Sequence, residues 1–246
     1  MVLTRRVLLG GGVAGVLSGA IVTQAVARRP EHTTTMAARR RVDPHAVFQL
    51  HGSSRRLALT FDDGPDPDYT PAILAALAAA GVPATFFVIG SNAARYPELI
   101  EAIAQGGHHI GNHTQDHIWL DQLPRADVAR QIRGADHTLG RLGVTPNPLF
   151  RPPHGWTSRT VADTASAQHK TAYYWTDCLE AHTSLGPAAA ADAVVAQTRP
   201  GAIILCHDGG RVDGPNPQRV DRSRTVAALP RLIDGLQRTR FRFVTL

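Results

Sequence analysis

Only two cysteines, Cys178 and Cys206, occur in 246 residues. Each ends an apolar run. The pair leaves room for one disulfide at most, and two buried thiols satisfy the pattern at least as well. No internal repeat and no second domain is visible, which excludes a repeat architecture. One substantial domain with a tail remains. Charge of one sign is also scarce where nucleic-acid binding would need it. The formal net charge is +6, but residues 1–44 hold Arg5, Arg6, Arg28, Arg29, Arg39, Arg40 and Arg41 against Glu31 and Asp43, so residues 45–246 carry only +1. A nucleic-acid binder should show a basic patch on its folded face, and none is expected here.

The N-terminus is where the basic residues gather. Thr4-Arg5-Arg6-Val7-Leu8-Leu9 has the form of a twin-arginine leader, an uncharged run follows from Val7 to Ala27, and Ala25-Val26-Ala27 fits a small-residue cleavage site. The alternative is a retained anchor, because 21 residues can span a bilayer. Five glycines between Gly10 and Gly19 weaken that alternative. The expectation is export to the cell envelope or beyond, with residues 1–27 as signal or anchor. Residues 28–54 then form a polar, arginine-rich linker outside the core, and residues 55–246 form the folded domain.

From Arg55 onward strand and helix patterns alternate. Strands are predicted at Leu57–Phe61, Ala84–Ile89, His109–Asn112, Leu149–Arg151, Thr171–Thr176, Ala202–Cys206 and Phe241–Leu246. Helices are predicted near 70–80, 93–105, 125–142, 158–169, 187–198 and 224–238. Thr70-Pro71 offers an N-cap and a first-turn proline for the first helix, and Gly81 ends it. Seven strand–helix units with short connections imply an α/β fold around a parallel sheet, open or closed. In either form functional residues gather at the C-terminal ends of strands. Asp62-Asp63, His113, Arg151, Asp177 and His207 all sit at such ends.

The stretch ALTFDDGPDP (Ala58–Pro67) ends a core strand with two adjacent carboxylates. Such a pair repels itself and loses solvation, yet along a strand the two side chains point opposite ways and can do different work. A lone Asp pair more often marks a polar strand exit. The second motif is Gly111-Asn112-His113-Thr114-Gln115-Asp116-His117. Histidines at i and i+4 lie on one face of a helical turn and can share a metal. A catalytic zinc site keeps three protein ligands, and the Asp pair could supply the third. A cation would also relieve the carboxylate repulsion. Leu149–Trp156 (LFRPPHGW) adds two prolines that stiffen a strand exit. Tyr174–Glu180 (YWTDCLE) follows. Finally Ile203–Gly210 (IILCHDGG) ends a buried strand with His207, a candidate general acid or base.

Taken in order, TFDDG, HTQDH, RPPHG, LCHD and the ending LPRLIDGLQRTRFRFVTL resemble the polysaccharide deacetylase family, carbohydrate esterases that include chitin, chitooligosaccharide and peptidoglycan N-deacetylases. The resemblance covers about residues 55–246. It implies a distorted (β/α) barrel of about seven parallel strands in a single catalytic domain. It implies that Asp63, His113 and His117 bind a divalent metal, most often zinc, with cobalt or another divalent ion possible. Asp62 would be the general base that activates water, Arg151 would steady it, and the backbone N–H of His154 would donate to the oxyanion. His207 would be the general acid, with Pro153, Gly155, Trp156 and Leu205 lining the substrate. The fourth motif departs from the family's W-x-x-D-x-x-D-W. Asp177 matches its first Asp, Glu180 stands where a second Asp would tune the catalytic histidine, and Ala181 replaces a Trp that walls the acetyl pocket. His154 stands where Tyr is common. Asp177 or Asp208 could replace Glu180 as the partner of His207.

The function implied is removal of acetyl groups from N-acetylglucosamine units of peptidoglycan or chitin-like oligosaccharides, by a monomer whose partner is a glycan, with no nucleic acid. An O-acetyl esterase acting on a xylan-like glycan is the near alternative. A carbohydrate-binding pseudoenzyme would require loss of a base, ligand or acid, and all five residues are present. A magnesium phosphohydrolase is disfavoured, because magnesium sites are oxygen-rich and this set brings two imidazoles.

Overall fold

Leu57, Leu59 and Phe61 alternate with Ala58, Thr60 and Asp62 along strand β1 (Arg56–Asp62), and all six are buried. Burial on both faces marks a central strand of a helix-covered parallel sheet. The structure is a computed structural model that describes residues 36–52, 54–145, 147–212 and 218–246. The helices are α1 (Met36–Val42), α2 (Thr70–Ala80), α3 (Gly90–Arg95), α4 (Pro97–Gln105), α5 (Arg125–Arg141), α6 (Arg159–Ala167), α7 (Pro187–Gln197) and α8 (Ser223–Arg238). The further strands are β2 (Thr85–Val88), β3 (His109–Asn112), β4 (Leu149–Phe150), β5 (Thr171–Ala172), β6 (Asp177–Cys178), β7 (Ile203–His207), β8 (Arg211–Val212), β9 (Gln218–Arg219) and β10 (Arg242–Phe243).

Seven strands run parallel in the order β5-β4-β3-β2-β1-β7-β6 and form a curled half-barrel, as the family resemblance implies. β10 shares an edge of β1 with β2, pairing at Arg56 and Leu57 where β2 has not yet begun. β8 and β9 form a small antiparallel pair apart from the sheet. The odd-numbered residues of β1 face the helices. Leu57, Leu59 and Phe61 share one core with Ile73 and Leu77 of α2, Val194 of α7, and Leu229, Leu232, Ile233 and Leu236 of α8. Each such aliphatic side chain contributes roughly 2 kcal/mol by leaving water. The even-numbered Thr60 and Asp62 face the concave side, and there the buried groups are polar.

Several sequence expectations are corrected. The single helix expected at 93–105 is two, α3 and α4, broken at Tyr96 (φ −129°, ψ 60°). Pro97 has no N–H and drives the residue before it out of helical geometry. The strand expected at Thr171–Thr176 stops at Ala172, because Tyr173 bridges Val47 and the chain then turns. The strand expected at Phe241–Leu246 shrinks to β10, and β6 was not foreseen. Gly81 ends α2 in left-handed geometry (φ 62°), but Thr70 does not cap it. Its hydroxyl accepts from Asp66 N–H and donates to Asp208.

The linker expected at 28–54 is also corrected from Met36 onward. Val47 N–H donates to Ala172 O and Val47 O accepts from Tyr174 N–H, both at 2.8 Å. Phe48 is 2 % exposed and stacks on Tyr174 at 4.9 Å. The arginines that made the segment read as solvated cover aromatic faces: Arg39 over Tyr174 and Trp175, Arg40 over Phe48. The leader at 1–27 lies outside the described residues. Among the described residues no helix is long and apolar enough to cross a membrane. Cys178 and Cys206 are both free thiols.

Candidate metal and acid–base site

The parallel register brings four strand ends to one rim. Asp62 is in register with His207, and Asn112, just before His113, is in register with Phe150, just before Arg151. Asp63 leaves β1 with φ 74°, a left-handed geometry that Asp tolerates better than most side chains. Its Oδ1 lies 3.3 Å from His113 Nε2 and 3.1 Å from His117 Nε2. Burial alone would raise the Asp63 carboxyl, but the facing His117 and His113, with His207 farther off, hold it well below the usual range.

The His113 imidazole is oriented from behind. His113 Nδ1 donates to Arg151 O at 2.7 Å, since a carbonyl only accepts, and this turns Nε2 towards Asp63. His117 does not reach the same place through a helical turn, as its spacing suggested. Residues 113–119 are not helical, and Thr114 (φ 70°) and His117 (φ 57°) are both left-handed. Asn112 Oδ1 accepts from Thr114 N–H, and Thr114 Oγ1 accepts from His117 N–H, so the turn is built by side-chain bonds. Two imidazole nitrogens and a carboxylate oxygen form a donor set that fits zinc.

Asp62 is bonded on its other side. Arg151, fully buried, donates from Nη1 to Asp62 Oδ1 at 2.7 Å and to Thr60 Oγ1 at 2.9 Å. Its Nε donates to Tyr173 O and its Nη2 to Tyr174 O, and the Phe87 ring lies 4.2 Å beneath. A buried guanidinium needs all of these partners. Asp62 Oδ2 remains, 3.9 Å from His113 Nε2.

Across the rim, Glu180 Oε2 lies 3.1 Å from His207 Nδ1, out of line with the ring N–H, so the contact is an ion pair and not a straight hydrogen bond. Glu180 Oε1 accepts from His207 N–H at 3.0 Å and from the Thr225 hydroxyl at 2.7 Å. Cys178 Sγ donates to Glu180 Oε2 at 3.4 Å. Burial would push Glu180 up, but His207, Thr225 and Arg222 outweigh it and bring its carboxyl down to about 2. Burial would push the His207 imidazolium down, but Glu180 and Asp63 outweigh it and hold His207 above its usual value.

Neither of the other two acids weighed as the partner of His207 lies there. Asp177 points from β6 to His182 Nε2 at 3.2 Å and to Gln197. One residue along a strand reverses the face, and Asp177 therefore leaves the rim that Cys178 and Glu180 join. Asp208 is fully buried and accepts from the Thr70 hydroxyl (2.7 Å) and Gly64 N–H (3.1 Å), fixing the turn after Asp63. Burial first, then the charges of Asp63 and Asp62, push it up to about 7.

The walls come from the proline-rich loop. Pro153 and Gly155 are buried, and a side chain at Gly155 (φ 65°) would meet the Trp175 ring at 2.5 Å. His154 stacks on Trp119 at 3.8 Å and turns an edge to His117 at 4.5 Å; Trp156 meets Trp119 at 5.9 Å. Leu205, 3 % exposed, is in register with Thr60 on the concave face. Trp119 and Arg222 were missed from sequence. Arg222 donates to Gly209 O at 2.7 Å and reaches Asp63 Oδ2 at 3.4 Å, and no local pattern announces a contact 159 residues away. A groove of about 1220 Å³ lies against His108, His109, Leu149 and Leu246 at the opposite rim. Titratable groups at strand C-termini outweigh its size as the mark of a site.

Comparison with known proteins agrees with this geometry. The polysaccharide deacetylase domain profile matches residues 50–173. A chitooligosaccharide deacetylase of Sinorhizobium fredii is 41% identical over 181 residues, covering 72% of this chain and 84% of the relative. A peptidoglycan-N-acetylglucosamine deacetylase of Bacillus cereus is 33% identical over 214 residues, covering 85% and 96%. A crystal structure of a peptidoglycan N-acetylglucosamine deacetylase superposes with a TM-score of 0.74 at 31% identity, covering 82% of this chain and 91% of the other.

Proposed function

The chain belongs to the polysaccharide deacetylase family, and on that premise we propose that it hydrolyses the acetamide of N-acetylglucosamine units in peptidoglycan or chitin-like oligosaccharides. The observation that carries the proposal is the convergence of His113 Nε2 and His117 Nε2 on Asp63 Oδ1, beside an Asp62 held by buried Arg151. Asp63, His113 and His117 would hold one divalent ion, zinc by donor chemistry. Bound there, the ion would polarise the acetyl carbonyl and lower the pKa of water from about 15.7 towards 7.

The other roles belong to the chain's own groups. Asp62 takes the proton of the attacking water, and Arg151 holds it in place. The His154 N–H, set by two prolines, donates to the oxyanion. His207 protonates the departing sugar nitrogen, a poor leaving group without that proton, and Glu180 keeps His207 charged. Pro153, Gly155, Trp156 and Leu205 shape the acetyl pocket. The test is a panel of N-acetyl chitooligosaccharide, peptidoglycan fragments and acetylated xylan. Acetate with a free amine supports the reading; acetate with an alcohol alone replaces it by an ester hydrolase.

We also infer export of a monomeric enzyme, supported by the twin-arginine leader and by relatives that act on peptidoglycan. Lysine at both Arg5 and Arg6 should retain the protein inside the cell. An exported form beginning at Arg28 supports cleavage, and one retaining Val7–Ala27 supports an anchor.

A further inference from the structure

A second group of metal-ligand atoms stands on the same rim and shares no residue with the first: Cys178 Sγ, a Glu180 carboxylate oxygen and a His207 ring nitrogen, all within 4.8 Å of one another. Sγ lies 3.4 Å from Glu180 Oε2, which lies 3.1 Å from His207 Nδ1. Tetrahedral zinc with ordinary bond lengths would separate sulfur from oxygen by about 3.5 Å and nitrogen from oxygen by about 3.3 Å. The three atoms therefore stand near ligand spacing before any ion arrives. A second observation points the same way. His207 Nδ1 is buried with no aligned hydrogen-bond partner. The facing Glu180 Oε2 attracts it as a charge but does not align with it, and a cation placed between the two can bond both.

We propose that Cys178, Glu180 and His207 form an inhibitory site for a thiophilic divalent cation such as zinc or cadmium. Binding replaces the Cys178 thiol proton and any proton on His207 Nδ1, and both go to solvent. With Nδ1 occupied, His207 cannot become an imidazolium; it keeps only Nε2–H, far too weak an acid to protonate the departing nitrogen. One ion at Asp63, His113 and His117 supports activity, and a second ion here removes it. Magnesium, which prefers oxygen ligands, does not bind. Inhibition rests on the acid role proposed for His207; the site itself does not.

The test uses full-length protein loaded with one equivalent of zinc. Cadmium is titrated while thiolate-to-metal charge-transfer absorbance is recorded, a signal the first site cannot give because it has no sulfur. One such band is expected in wild type and in Cys206→Ala, and none in Cys178→Ser or Cys178→Ala, with circular dichroism checking the fold of each. Excess zinc should inhibit deacetylation in wild type, and about ten-fold more should be needed in the Cys178 variants. A band that survives in both Cys178 variants, or is absent from wild type, overturns the site. A Cys178-dependent band without inhibition leaves the site standing and overturns the acid role of His207. No acetate release from either peptidoglycan or chitooligosaccharide, even before excess zinc is added, would instead indict the substrate reading, and the absorbance would be unaffected.

Discussion

On the β1–β3 side of the rim, the groups that face Asp63 are anchored by bonds within the histidine motif and by one bond from the neighbouring strand end. His113 Nδ1 rests on Arg151 O, and the turn carrying His117 is fixed by Asn112 and Thr114. On the β6–β7 side, Glu180 reaches His207 off-line and also serves Thr225 from α8 and Cys178 from β6. In the first half Asp63 meets two imidazoles at once and His113 is bonded from behind, so a change there has nowhere to go. The second is assembled from three elements around one flexible carboxylate, and a longer acid and a missing tryptophan can be absorbed there. The two halves should therefore fail differently.

The largest effects belong to the anchored half. His113→Ala and His117→Ala should lose bound metal and activity together, as metal analysis and acetate release would show; full metal occupancy in both would break the assignment. Within the Asp pair, Asp62→Asn should keep metal and lose about 10²–10⁴-fold in turnover, the usual worth of a positioned base. It also strips buried Arg151 of its counter-ion, a loss of about 3–5 kcal/mol, so Tm should drop as well. Asp63→Asn should instead weaken metal binding, and swapped phenotypes would show the division of labour to be reversed.

The next effect crosses to the other half. His207→Ala should cost an N-acetyl glycan about 10²–10⁴-fold and an activated acetyl ester much less, because an alkoxide leaves without the proton. Equal losses on both substrates would remove His207 from the acid role and leave only the metal-facing half as chemistry.

What could be read in advance follows the same division. Asp62-Asp63, His113, Arg151 and His207 stand at strand ends, and period and register carry such residues to one rim whatever the loops do, whereas His117 is brought there by the turn after β3. Gly81 was an equally local signal. Pro97 carried the signal that splits the helix expected at 93–105. Phe48, Trp119 and Arg222 act through partners far away in the chain, so no window around any of them shows its role. The segment at 36–50 was misjudged because arginine in composition means solvent, whereas Arg39 and Arg40 here lie on aromatic faces. The roles assigned to His154 and Glu180 came from family resemblance, since neither spacing nor residue type implies them.

A smaller effect tests how charge reaches His207. Glu180 raises the His207 pKa, and the acid form must survive into the working pH range. Glu180→Gln removes the anion, so His207 loses its proton at lower pH and the basic limb of the pH–rate profile should move down. The same sign holds for stability. A histidine raised in the folded state adds stability below its unfolded pKa and loses it as pH rises through the folded one. The difference in Tm between wild type and Glu180→Gln should therefore shrink at alkaline pH. An unmoved limb would leave Asp63 as the source of the elevated His207 pKa.

The smallest effect separates charge from reach. Glu180→Asp keeps the anion but shortens the arm by one methylene. Oε1 now holds both His207 N–H and Thr225, and an aspartate reaching for Nδ1 must give up at least one of them. Each lost bond costs about 1 kcal/mol, which predicts a Tm lowered by a few degrees. Because the charge remains near the ring, the basic limb should stay in place and turnover on the N-acetyl glycan should fall only a few-fold. If Glu180→Asp behaves like Glu180→Gln, reach and not charge governs the acid half, and Cys178 and Thr225 become the groups that set it. If it matches wild type in both pH profile and Tm, the half assembled from three elements is looser than the off-line contact suggests, and the contrast with the anchored metal half is wider still.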